Sequence, residues 1–138
     1  MALVLVNNGE KITLEYLVNK VATPENLVLC LFTSNTTPAA GDTTGTYTEA
    51  SGNGYANKTL TGASWTITTG APSNAAYAEQ TFTFTGALGN VYGYFLKRAS
   101  TGDLAWVERF SDGPYNVQNN GDQIKVTPRI TLGSQTSD

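Results

Sequence analysis

Clusters of Gly, Asn, Asp, Ser and Pro interrupt this chain roughly every ten residues, which leaves stretches of strand length between them. Among the breaks are Asn35–Pro38, Ser51-Gly52-Asn53-Gly54-Tyr55, Gly70–Ala75, Gly86–Asn90, Asp112-Gly113-Pro114 and Asn119-Asn120-Gly121-Asp122. Thr36–Gly45 consists of turn formers and reads as an exposed loop. Leu27–Thr33 is a continuous apolar run. Trp65-Thr66-Ile67-Thr68 alternates as a half-buried strand should, and Thr81-Phe82-Thr83-Phe84-Thr85 points its Phe inward and its Thr outward. Val91–Lys97 and Leu104–Phe110 read as a hairpin around Ser100-Thr101-Gly102-Asp103. In Ile124–Leu132 the residues Ile124, Val126, Ile130 and Leu132 share a face. Pro128, with no N–H for a ladder, marks an edge or a bulge. About seven such strands predict an all-β fold, an antiparallel β-sandwich of jelly-roll or immunoglobulin-like type.

One segment has a different period. Leu14, Leu17, Val18 and Val21 fall at i, i+3, i+4 and i+7, which predicts a short N-terminal amphipathic helix opening at Gly9-Glu10-Lys11, ended by Pro24 and packed by that stripe on a sheet. Before it, Leu3, Val4, Leu5 and Val6 form an apolar arm (residues 1–8) or a first edge strand. The start has no charged n-region and is too short for a signal peptide or a membrane span, so a cytoplasmic site of synthesis is expected. Residues 133–138 read as a polar tail, and 1–138 as one domain.

Charge narrows the functional classes. Only 14% of the residues are charged and the net charge is −3, with Lys and Arg scattered apart from Lys97-Arg98. Phosphate neutralisation needs clustered cations, so neither nucleic acid nor an anionic membrane is an expected partner. There is no histidine, which removes Ser-His-Asp and Cys-His catalysis and most zinc or iron sites. The single cysteine, Cys30, lies in an apolar run and reads as a small buried hydrophobe. The pairs Gly52-x-Gly54 and Gly86-x-x-Gly89 are not followed by the helix a phosphate loop requires, and read as tight turns. Asp42, Asp103, Asp112 and Asp122 lie in loops without the dense pattern of a calcium site. No metal or cofactor is expected.

Glu108 is the carboxylate of most interest, because Trp106, Glu108 and Phe110 share one strand face. There it could bind a sugar ring or act as an acid of raised pKa, or else pair with an arginine across the sheet or at a subunit boundary. Tyr47, Tyr55, Tyr77 and Tyr115 lie in or beside loops and favour a protein interface over a sugar platform. The segment Trp106–Pro114, with Glu108, Arg109 and Asp112, is either a contact region or a strand ending in a type I turn with Arg109 and Asp112 paired locally.

Several strings, taken in order, resemble a group of small virion proteins of tailed phages, including phages of cyanobacteria. They are Asn26-Leu27-Val28-Leu29, Tyr47-Thr48-Glu49-Ala50-Ser51-Gly52-x-Gly54-Tyr55, Thr81–Thr85, and Gly89-Asn90-Val91-Tyr92-Gly93-Tyr94-Phe95. Trp106-x-Glu108-Arg109-Phe110-Ser111-Asp112-Gly113-Pro114 and Asn120-Gly121-Asp122-Gln123-Ile124-x-Val126-Thr127-Pro128-x-Ile130-Thr131-Leu132 complete the set. The resemblance implies a non-enzymatic capsid decoration, or cement, protein on the outer surface of the virion. It further implies a β-rich homotrimer that clamps neighbouring copies of the major capsid protein, and no catalytic residues. A tail or baseplate component that binds host glycan is the alternative.

Overall fold

The computed structural model describes residues 3–20 and 24–133, so Val21 of the predicted stripe and 134–138 of the predicted tail lie outside the described residues. The chain begins with β1 (Val4–Leu5), α1 (Asn7–Leu17), β2 (Leu27–Phe32) and β3 (Lys58–Leu60). It continues through β4 (Thr66–Thr68), β5 (Ser73–Ala76), β6 (Gln80–Thr83), β7 (Gly89–Val91) and β8 (Gly93–Arg98). The last four strands are β9 (Leu104–Arg109), β10 (Tyr115–Val117), β11 (Gln123–Val126) and β12 (Arg129–Leu132). The fold is all-β with one short helix, and every pairing between strands is antiparallel.

The central sheet has the order β1-β9-β8-β2-β3, and both its faces are covered. That explains why Leu27–Phe32 is apolar without alternation. Leu27, Leu29 and Leu31 point into a core shared with Phe82, Phe84, Val91, Val117, Ile124 and Val126 from the ribbons β6–β11 and β7–β10. Val28, Cys30 and Phe32 point the other way, into a second cluster with Val6, Tyr47, Phe95, Leu104 and Val107. The hairpin β8–β9 holds a bulge in which Lys97 faces Leu104 and Leu96 faces Trp106. Ala105 is the extra residue, so Ala105 and Trp106 both enter the first core.

The loop predicted over Thr36–Gly45 is part of a segment, 33–50, that covers the second face. The segment closes on itself through Thr33 N–H to Thr48 O (2.8 Å) and is tied to β2 by Ala50 N–H to Leu31 O (2.9 Å). Thr44 Oγ1 donates to Gly102 O (2.5 Å), and Tyr47 packs against Phe32 and Phe95 at 4.8 and 6.0 Å between ring centroids.

Three expectations need correction. The stripe of α1 does not face the sheet: Leu14, Leu17 and Val18 are 60%, 79% and 67% exposed. Its buried residues are Gly9 and Ile12, because β1 pairs with β9 and runs straight into the helix, setting Gly9 against the Ala105 carbonyl, where no larger residue fits. Nor does Pro24 end the helix. Asn19 does, in the left-handed region (φ 56°), with Lys20 N–H to Glu15 O (2.8 Å) and Asn19 N–H to Tyr16 O (3.2 Å) closing a Schellman motif. Lastly, Thr66, Ile67 and Thr68 are all exposed rather than half-buried. Pro128 does mark a break: β11 before it pairs with β6, and β12 after it pairs with β5.

Candidate functional site

Leu3–Val6 takes the edge-strand form: Val4 faces Val107, Leu5 faces Trp106, and Val6 is fully buried. Of the remaining contact candidates, Tyr47 and Trp106 are buried, Tyr55, Glu108, Arg109 and Tyr115 are half-buried, and Asp112 is exposed.

The loop tyrosines are pins. Tyr47 O–H donates to Asp42 Oδ2 (2.5 Å) and Tyr55 O–H to Glu49 Oε1 (2.9 Å), while Tyr77 Oη accepts from Thr61 N–H (3.1 Å) and Tyr115 O–H donates to Asp112. Each hydroxyl that was read as interface material already has a partner within the chain. Arg109 does not pair with Asp112. Its guanidinium lies 5.0 Å from the Tyr92 ring and donates to Thr36 O (3.0 Å) and Asn35 Oδ1 (2.7 Å), clamping the covering segment. The turn at Ser111 and Asp112 is followed by a cis Gly113–Pro114 bond.

Glu108, Asp112, Tyr115 and Leu3 do converge, in an open cleft of about 440 Å³ that Lys125 and Arg129 also line. Glu108 Oε2 accepts from Tyr94 O–H (3.1 Å) rather than from an arginine, and Tyr94, Phe110 and Tyr115 form an aromatic row with centroids 6.2 and 4.7 Å apart. Burial, then the Glu108 charge, pushes the Tyr94 phenol up; the hydrogen bond to Asp112 does the same for Tyr115. Both phenols therefore stay protonated and act as donors to the carboxylates. Lys125 reaches Glu79 only at 3.9 Å with both ends over half exposed, so that pair contributes little. The cleft can accept or donate hydrogen bonds to a polar partner, but Trp106 is turned away from it into the core.

A second polar cluster surrounds Glu49, which accepts from Tyr55 O–H (2.9 Å), Asn57 Nδ2 (3.0 Å) and Lys97 Nζ (3.4 Å). Burial raises its carboxyl, but these donors outweigh burial and leave it below its ordinary 4.5. Burial first, and Glu49 second, push the Cys30 thiol up to about 12, so it is inert as a nucleophile. No group of three or more His, Cys, Asp or Glu that could hold a metal occurs among the described residues.

The feature that the sequence did not announce is apolar. Between α1 and the three-stranded sheet β12-β5-β4 lies a groove of about 450 Å³. One wall is Leu5, Ile12, Leu27 and Trp106. The other is the row Ile67, Ala75 and Ile130, placed side by side by the strand register. Ile67 and Leu132, on its lips, are 67% and 56% exposed. Alternation at Trp65–Thr68 flags a strand, but the alignment of Ile67 with Ile130 through Ala75 depends on β12, distant in sequence.

No protein-family model, curated protein or solved structure matches this chain.

Proposed function

We propose that this chain is a capsid decoration protein, a homotrimer that binds the outer lattice of major capsid protein on a tailed-phage head and stabilises it without catalysis. The observation that carries the reading is the distribution of exposed large apolar side chains. Leu14, Leu17, Val18, Ile67 and Leu132 are concentrated in two features on a surface otherwise dominated by neutral polar residues. Concentrated apolar exposure of this kind marks an interaction surface, and contact with protein is the reading that fits a lattice binder. A lattice binder works through area and repetition rather than one reactive group. The ordered strings that resemble virion proteins supply the particle. The layering of two ribbons on one face of the central sheet supports a β-sandwich within the all-β class. A host-glycan role is disfavoured, since every Trp, Tyr and Phe side chain is buried or half-buried and a sugar platform needs exposed rings.

Mixing the purified chain with purified heads that lack it, then pelleting the heads, tests the reading. The chain should co-pellet saturably at a fixed ratio to major capsid protein and raise the temperature at which the heads open. A chain that stays in the supernatant at every concentration contradicts it.

A further inference from the structure

We propose that the groove between α1 and the sheet β12-β5-β4 binds a neutral amphiphilic small molecule, an apolar body that carries a hydrogen-bond acceptor such as a ketone, ester or amide oxygen. The proposal concerns the groove alone and does not rest on the decoration reading.

Three buried side-chain N or O atoms have no hydrogen-bond partner among the described residues, and they gather in one place. Trp106 Nε1 and Tyr16 Oη belong to side chains that line the groove, and Trp106 is only 7% exposed. The third is Arg98 Nε. Its guanidinium lies 6.0 Å from the Tyr16 ring, and Nε stands 3.3 Å from Oε1 of Glu25, a lining residue, in an ion pair that is not aligned as a hydrogen bond. All three atoms carry a hydrogen to donate. Proteins leave few buried polar groups unpaired, so three donors at one groove define what would complete it, which is an acceptor. These donors are shut off from bulk water, so an acceptor that reaches them gains its bonds without breaking bonds to solvent.

The rest of the lining sets the body of the ligand. Leu5, Ile12 and Leu27 on one side, with Ile67, Ala75 and Ile130 on the other, present apolar walls. A volume of about 450 Å³ falls in the range of small-molecule sites, about 300–1,000 Å³, which are apolar pockets with a few convergent polar groups. Glu25, the only charged lining residue, is balanced by Arg98 and also accepts from the Ser100 hydroxyl. A ligand carboxylate would stand beside that anion and be repelled by it, whereas a neutral acceptor would not.

NMR titration of the isotope-labelled full chain tests the proposal. The chain has two tryptophans and hence two indole N–H signals, which Trp65→Phe assigns. The probes are butyrophenone and n-butylbenzene, which share a carbon skeleton and differ by the ketone oxygen. Both should bind saturably, and butyrophenone should move the Trp106 indole proton further downfield, as a new hydrogen bond does. Tyr16→Phe and Trp106→Phe should each lower the ratio of butyrophenone to n-butylbenzene affinity about fivefold, the worth of one hydrogen bond. Tyr16→Phe removes one oxygen, so it keeps the test in force if Trp106→Phe, a change in the core, does not fold. Phenylbutyrate, a carboxylate of similar size, should bind more weakly than butyrophenone. Failure of both neutral probes to saturate overturns the proposal, as does an indole signal that stays in place, a ratio unchanged in both variants, or tighter binding of phenylbutyrate. If neither probe saturates and phage heads bind the wild type but not Ile67→Asp, the groove is a protein contact. The decoration reading then stands while this one falls.

Discussion

Gly9 shows how one residue sets the orientation of an element. A Cβ at this position would collide with the Ala105 carbonyl oxygen and approach Leu5 Cδ1 at 2.8 Å, so the helix reaches β9 closely only as glycine. By propensity alone Gly9→Ala should stabilise α1 by about 1 kcal/mol. Overpacking a close contact costs about 1–3 kcal/mol, and here the obstacle is backbone, which yields least. The expected result is a lower urea midpoint for G9A with an unchanged slope; a raised midpoint would show that the contact is looser than described. None of this is visible in the sequence, where Gly9 stands before an apolar stripe and suggests only a helix start. Pattern predicted Leu14, Leu17 and Val18 as the buried side; a contact with Ala105, far along the chain, decided otherwise. Asn19 likewise ends the helix where Pro24 is the more conspicuous breaker in the sequence, as an Asn just past the last helical turn can.

Strand elements were legible where the apolar pattern was strong, whether their partners lay near in sequence, as for β8 and β9, or far, as for β2 and β6. Leu27–Phe32, Phe82 with Phe84, and the hairpin of β8 and β9 follow from apolar spacing and turn residues alone. The role of segment 33–50 was not legible, because its Gly, Pro and Thr content describes a loop and not what the loop lies upon. Glu49 and Arg109 tie this segment to the central sheet. Folding holds the Glu49 carboxyl below its ordinary 4.5, so the unfolded chain takes up that proton first as the pH falls. The stabilisation is complete above about pH 4.5 and declines as the pH drops through the lower folded value. Melting temperatures measured from pH 7 down to pH 3 should therefore fall in the acid range, and Glu49→Gln should lower stability at pH 7 while flattening that fall. An E49Q variant with the full wild-type acid slope would place the acid sensitivity elsewhere, Glu25 and Asp122 being held below their ordinary values too.

At the scale of the whole molecule, the charge count and the absence of histidine were readable at once and narrowed the classes of function. The sequence could name tyrosines as interface candidates, but not that their hydroxyls are used within the chain. The surface left available is instead aliphatic, in a ridge and a groove on opposite sides of α1, beside a polar cleft that gathers Glu108, Asp112 and Tyr115. Such a surface suits repeated contact with protein, which is the central claim. Its most direct measurement is electron microscopy of intact particles labelled with an antibody raised against the purified chain. Label spread evenly over the head is the result the account predicts. Label confined to the tail would contradict it and would make this chain a host-contacting component.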